Sequence, residues 1–329
     1  MRKIGSILLA LLALSALAGG CSDPDSQPPP QTGQTLAPPA QPAAKPVIAL
    51  VMKTLTNPFF IAMEQGARQA ERALGVQLRV RTAAQETSIE QQIQIVEELI
   101  RAPVDAIVIA PGDSLELIPA LKKAQEAGIP VINIDNRLDP VYAARLGLTG
   151  VPLISVDNEK GAYQAAKFLS DRLHAPTQVA VLEGIRSAAN AEARLRGALR
   201  AFAENPAITV VARETAHWKI DEGYQVTAAL FARYPDLGAL FCANDMMALG
   251  ALKYLEERGQ RQVLVAGFDA IEPARMAIRA GALAASVDQQ ADKQGDLGVR
   301  YAVRALAGET LPAETLIETR LITVDTLSP

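Results

Sequence analysis

The sequence predicts an α/β protein with two doubly wound parallel-sheet domains, and three observations carry that reading. Short apolar runs alternate with helical patterns from residue 47 to the C-terminus, the signature of parallel strands with crossover helices. Most of the runs are continuous stretches of Val, Ile, Leu and Ala, as strands covered on both faces are. The helical patterns are too numerous for one open sheet, so the chain divides into two bodies. Apolar residues are 49% of 329 and charged residues 21%, which excludes a disordered or fibrous chain.

The N-terminus stands outside this pattern. Arg2 and Lys3 precede an apolar run from Ile4 to Ala18, interrupted by Gly5, Ser6 and Ser15. The run falls short of the roughly twenty residues a spanning helix needs and fits an export signal. Ala18-Gly19-Gly20-Cys21 resembles a bacterial lipoprotein processing site, in which the cysteine becomes the new N-terminus and carries lipid; an ordinary signal peptide is the other reading. Eight of the twenty-five residues in 22–46 are proline and none is aromatic. Residues 22–45 therefore read as an extended tether.

The elements follow in order. VIALVM (47–52) is a strand, and Asn57-Pro58 opens a helix that Gly75 ends. Strand 76–81, helix 88–101, strand 104–111, helix 114–127 and strand 129–135 come next. Further helices are expected near 158–173, 190–204, 220–233, 244–258, 270–280 and 289–307. Further strands are expected near 153–156, 178–182, 208–212, 238–242, 262–267, 283–287 and 317–324. The turn-rich stretch 136–157 is where the chain would first cross between domains.

Ligands in open α/β sheets bind beyond the C-terminal ends of strands, and polar or aromatic residues gather there. Asn57, Phe59 and Phe60 follow the first strand, Asp135, Asn136 and Arg137 the fourth, and Asp157 and Asn158 the strand at the crossing. Asn244 and Asp245, Phe268 and Asp269, and Asp288, Gln289 and Gln290 follow later strands, with Arg194, Arg196 and Trp218 between them. Carboxylates accept, Arg donates in a fixed fork, Asn and Gln do both, and aromatic faces cover C–H surfaces. That mixture suits a neutral polyhydroxylated ligand. Each residue also has an ordinary role open to it: Asn57 and Asn244 as helix caps, Arg194 and Arg196 as solvated helix residues, Phe59, Phe60 and Trp218 as core.

Signals of catalysis are weak. The chain has no GxGxxG after the first strand, no GxxxxGK[ST] and no GxSxG. Its two cysteines (Cys21 and Cys242) and two histidines (His174 and His217) are too few for a zinc site. Cys242 lies in an apolar strand and should be free. No enzyme activity, cofactor or metal is expected, and a net charge of -4 gives no pull on nucleic acid.

Several segments together resemble bacterial periplasmic sugar-binding proteins of the ribose-binding type, the solute-binding components of ABC importers. They are IALVMKTLTNPFFIAMEQGARQAE (48–71), VDAIVIAPGDS (104–114), GIPVINIDN (128–136), ISVDNEKGAYQAA (154–166), ARLRGAL (193–199), FCANDMMALGALKYL (241–255), VLVAGFDA (263–270) and GALAASVDQQ (281–290). The resemblance implies a type I fold with a hinge of three crossings. The N-terminal domain would be 46–155 plus 290–317, and the C-terminal domain 156–289 plus 318–329. It implies a cleft lined by Asn57, Phe59, Phe60, Asp135 and Asn136 from one side and Asn158, Arg194, Trp218, Asn244, Asp269 and Gln289 from the other. Asn136 stands where the family usually has Arg, and Trp218 where ribose binders have Phe. The implied ligand is therefore a sugar or cyclic polyol, with pentose, hexose and inositol-like rings all open. The implied partner is a membrane permease, the implied state a monomer, and the implied location the periplasm or cell surface, anchored through lipidated Cys21. A protein feeding a chemoreceptor or sensor kinase is the alternative. A sugar-responsive repressor is disfavoured, because the export segment and tether occupy the place of a DNA-binding headpiece.

Overall fold

The computed structural model describes residues 45–327. The export segment, Cys21 and the tether up to residue 44 lie outside the described residues. In chain order the first elements are β1 (Val47–Met52), α1 (Pro58–Leu74), β2 (Gln77–Thr82), α2 (Ile89–Ile100), β3 (Ala106–Ile109), α3 (Ile118–Glu126), β4 (Val131–Ile134), α4 (Pro140–Leu146) and β5 (Leu153–Val156). Then come α5 (Asn158–Ser170), β6 (Thr177–Glu183), α6 (Ala189–Ala203), β7 (Ile208–Thr215), α7 (Ile220–Arg233), β8 (Leu237–Cys242), α8 (Asp245–Glu257) and β9 (Leu264–Ala266). The last are α9 (Glu272–Arg279), β10 (Ser286–Asp288), α10 (Ala291–Leu306), β11 (Glu314–Ile317) and β12 (Arg320–Ile322).

Two parallel sheets result, in the arrangement of a type I periplasmic binding protein. One has the order β11-β5-β4-β3-β1-β2 and the other β7-β6-β8-β9. A bridge between Ala266 and Ala285 leads from β9 toward the antiparallel pair β10-β12. The chain passes between the two lobes after β5, after β10 and after β11. The central strands β1, β3 and β4 are buried along almost their whole length, which is why they read as unbroken apolar runs. Helices α1 and α10 meet backbone to backbone on the first lobe, since a Cβ on Gly295 would lie 2.0 Å from the Met63 carbonyl oxygen.

Four expectations change. α4 is a helix inside the stretch read as turns, and none of its residues is buried, so it carries no amphipathic signal. The expected strand 317–324 is two, β11 in the first sheet and β12 beside β10. α3 begins at Ile118 rather than 114, because Asp113 Oδ1 accepts the N–H groups of Leu115 and Glu116 in a separate turn. α9 begins at Glu272, after Asp269 and Ala270 take left-handed conformations that no helix can include. No helix of the described residues is long and apolar enough to cross a membrane.

Candidate functional site

The C-terminal ends of strands from both lobes face one another across a cleft. A narrow polar cavity lies between them, lined by Lys53, Asn57, Phe59, Phe60, Glu86 and Asp135 from the first lobe. Asn190, Arg194, Trp218, Asn244, Asp269 and Gln289 line it from the second.

Local folding explains how each group arrives there. Asn57 caps α1 through Oδ1, accepting from Phe59 N–H at 3.0 Å, while its Nδ2 donates to Glu86 Oε1 at 3.0 Å. Capping and lining are thus one residue's two ends. The rings of Phe59 and Phe60 stand edge to face at 5.1 Å, and both are buried. Asn244 likewise caps α8 by accepting from Met247 N–H at 3.0 Å, and donates to the Trp218 carbonyl oxygen. Trp218 is only 4% exposed. Its ring fits because residue 184 is glycine: a Cβ there would fall 2.0 Å from the indole.

Three lining residues hold backbone conformations that L side chains rarely adopt. Asp135 has φ 62°, Trp218 φ 68° and Asp269 φ 116°. Such strain persists only where surrounding structure enforces it, and it gathers at binding sites.

Charges are paired or hydrogen-bonded on both walls. Lys53 Nζ lies 2.8 Å from Asp135 Oδ2, both groups buried, but off the line of a hydrogen bond, so that oxygen keeps free accepting capacity. Arg194, 2% exposed, donates from Nε to Asn158 Oδ1 at 2.8 Å and from Nη1 to the Ala243 carbonyl oxygen at 2.9 Å. Asp269 Oδ1 is 3.6 Å from the same guanidinium and accepts from Gln289 Nε2 at 2.6 Å. The guanidinium carbon sits 3.8 Å from the centre of the Phe268 ring. Burial pushes the carboxyls of Glu86 and Asp269 above their ordinary range, against the pull of Lys53 and Arg194 respectively, and lowers Arg194 despite its acidic neighbours.

Four buried side-chain atoms among the described residues lack a hydrogen-bond partner, and three belong to the cavity walls: Asp135 Oδ2, Asn190 Oδ1 and Trp218 Nε1. Buried polar atoms are ordinarily satisfied, so this clustering points to a ligand with both donors and acceptors.

Of the eleven residues expected from the sequence, nine line the cavity: Asn57, Phe59, Phe60, Asp135, Arg194, Trp218, Asn244, Asp269 and Gln289. Two do not. Asn158 supports Arg194 from behind. Asn136, fully buried, turns away from the cavity and bonds to Ser114 Oγ and to the N–H of Asn190. β4 ends at Ile134 and Asp135 is left-handed (φ 62°), so the chain bends there and carries Asn136 away from the cavity wall that Asp135 occupies. Arg196 is exposed and paired with Glu159. Lys53, Glu86 and Asn190 line the cavity without having been singled out; Lys53 directly follows β1, so the strand-end rule could have found it.

No group of three or more His, Cys, Asp or Glu among the described residues is arranged to hold a metal ion. Cys242 is free, and burial raises its thiol pKa.

Fold and cleft together define a solute-binding protein. Residues 48–310 match the periplasmic binding protein domain, and the chain belongs to that family. It is 40% identical over 276 residues to the D-ribose/D-allose-binding protein of Pseudomonas aeruginosa, covering 82% of this chain and 85% of that protein. It is 31% identical over 277 residues to the D-allose-binding periplasmic protein of Escherichia coli, covering 83% and 89%. Among solved structures, an ABC transporter periplasmic solute-binding protein from Actinobacillus succinogenes with bound D-allose superposes with a TM-score of 0.81 at 38% identity, over 85% of this chain and 98% of that one.

Proposed function

We propose that this chain captures a neutral monosaccharide or cyclic polyol in the cleft and delivers it to the permease of an ABC importer, with D-allose and D-ribose the first ligands to try. The observation that carries the reading is the trio of buried side-chain atoms without a hydrogen-bond partner that gather in the walls of one cavity. Asp135 Oδ2 and Asn190 Oδ1 accept, and Trp218 Nε1 donates. A ring bearing hydroxyls on successive carbons answers all three, and each atom left unanswered costs about 1–3 kcal/mol. Phe59, Phe60 and Trp218 offer apolar faces for the ring's C–H surfaces.

Charge supports a neutral ligand over a sugar phosphate or acid. Lys53 and Arg194 face Glu86, Asp135 and Asp269, and burial favours the uncharged forms of Glu86 and Asp269. The ligands named for the Pseudomonas aeruginosa and Actinobacillus succinogenes proteins support an aldose. The same reading takes the apolar N-terminal run as a lipoprotein signal. Cys21 is then the lipid-bearing residue that holds the protein in the periplasm or at the cell surface, and residues 22–45 are its tether. The bodies that close on the sugar are residues 46–155 with 290–317, and 156–289 with 318–329.

Thermal unfolding of the full chain with D-allose, D-ribose, myo-inositol, D-allose 6-phosphate and a set of amino acids tests the proposal. D-allose at a thousandfold excess over its Kd adds about 4 kcal/mol of stability, which raises the midpoint by several degrees, while the phosphate leaves it unchanged. A response to amino acids and to none of the sugars or polyols would overturn the reading.

A further inference from the structure

Helix α6 begins without a cap of its own. Its N-cap position is Ala188, in the extended conformation a cap needs (φ −96°, ψ 124°) but with no side-chain acceptor. The first N–H groups of a helix have no partner within it, and most helices answer them with a local Ser, Thr, Asp or Asn. Here the acceptors come from the opposite lobe. Ala189 N–H donates to Ser114 Oγ at 2.9 Å, and Asn190 N–H donates to Asn136 Oδ1 at 3.2 Å. Ser114 N–H also donates to the Ser187 carbonyl oxygen at 3.2 Å.

The two capping side chains are fixed from behind. Ser114 Oγ donates to the Arg137 carbonyl oxygen at 2.7 Å, and Asn136 Nδ2 donates to Ser114 Oγ at 3.3 Å. Asn133 holds the same loop, donating to the Asn136 carbonyl oxygen at 2.8 Å and accepting from Leu138 N–H at 3.0 Å. Asn136, Ser114 and Asn190 are all buried, and neither Asn136 nor Ser114 lines the cavity.

We propose that Ser114 and Asn136 cap α6 across the cleft, and that this cap latches the lobes together without touching the ligand. When the lobes part, the N–H groups of Ala189 and Asn190 exchange fixed acceptors for water. The closed state therefore gains what a helix gains from its cap, whatever ring occupies the cavity. The latch also positions Asn190, whose Oδ1 is one of the three unpaired atoms at the cavity wall. Asn136 is thus a positioning residue that sets affinity through the closing equilibrium. Its effect should be alike for every ligand the closed form accepts, because a ligand's apparent affinity scales with the population of the competent state.

The sugar-affinity arm of the test rests on the function proposed above, and the exchange arm does not. In the full chain, amide hydrogen exchange at Ala189 and Asn190 should be slower than at an uncapped helix start, and Asn136→Ala should speed exchange at Asn190 roughly tenfold, the loss of one cap. Exchange in the middle of α6 should not change. The same variant should weaken D-allose and D-ribose by a similar factor, about tenfold, leaving their ratio intact. Ala188→Ser gives α6 a cap in its own chain, stabilising the open form more than the closed one. It should weaken both sugars severalfold while the melting temperature of the unliganded protein holds or rises, which separates the latch from a folding defect. Unchanged exchange at Asn190 in Asn136→Ala would overturn the latch whether or not any sugar binds. A changed D-allose to D-ribose ratio would overturn it too, by making Asn136 a ligand contact.

Discussion

The first lobe and the second give the cleft six residues each, yet their polar groups are organised differently. On the first wall the charges centre on a buried couple, Lys53 with Asp135, and Glu86 is tied in through Asn57 and the pull of Lys53. On the second wall everything radiates from Arg194, which reaches Asn158, the Ala243 carbonyl and Asp269, with Gln289 closing on Asp269. A couple can be removed as a unit. A hub cannot, because each of its partners is left buried and unanswered. The second wall should therefore be inseparable from the stability of its lobe, whereas the first should be separable into binding without folding.

Arg194→Ala is the largest test of that difference. Removing one member of a buried charged network costs about 3–5 kcal/mol, and the Phe268 and Trp218 rings that flank the guanidinium lose a packing partner. Urea unfolding should report a loss of about 3 kcal/mol, and calorimetric titration should find D-allose binding weakened more than a hundredfold. A variant of unchanged stability would mean that Arg194 is no hub.

The first wall should behave in the opposite way. Replacing both members of its couple, Lys53→Met with Asp135→Leu, removes two buried charges at once, a change that is often neutral or stabilising by about 1–4 kcal/mol, offset by about 1–2 kcal/mol for placing Leu at the left-handed φ of 62°. D-allose binding should still fall more than a hundredfold, since Asp135 Oδ2 is one of the acceptors in the cavity wall without a hydrogen-bond partner. Stability lost in the double variant to the extent seen in Arg194→Ala would erase the contrast between the walls.

The contrast itself was not legible in the sequence, although most of the residues were. Strand ends are visible as the close of an apolar run, so Asn57, Asp135, Asn244, Asp269 and Gln289 could be found by position alone. Trp218 and Arg194 came from their chemistry and from family motifs. Glu86 sits in a polar loop after β2, where a glutamate is expected in water, and only the approach of Asn57 reveals it as part of the cavity wall. Asn136 obeyed the strand-end rule and still faced away, because the rule says where a residue is and not which side it presents. α4 hid for a related reason: with no buried face it has no periodicity, though Asp139-Pro140 repeats the cap-then-proline start that marked α1, and Asp139 Oδ1 accepts from Tyr142 N–H. The two late strands were read as one because hydropathy cannot tell that a chain changes sheets between Ile317 and Arg320.

The last effect concerns pH, and it centres on the second wall. Behind the second wall Asp245 is buried with its carboxyl pushed up to about 7, chiefly by burial, and eased by the Ser286 hydroxyl, the Ile271 N–H and the Arg194 charge. Asp269 is raised as well, for the same first cause. In the unfolded chain both return to the ordinary aspartate range, near 3.9. Between about pH 4 and 7 the folded state thus binds more protons than the unfolded, so stability falls as pH rises, by at most about 1.4 kcal/mol per pH unit for each such group. For Asp245 the contribution is complete below pH 4 and lost as pH passes 7. The unliganded protein should melt at a higher temperature at pH 5.5 than at pH 8. Asp245→Asn isolates the effect, because an amide can accept from the Ile271 N–H and donate to Ser286 Oγ, keeping both bonds without the charge. The variant should make the profile shallower across this range, Asp269 and Glu86 still contributing, while leaving the cavity, which Asp245 does not line, able to bind D-allose. A profile as steep as the parent's would mean that the second lobe's pH response originates elsewhere than in the carboxyls behind its wall.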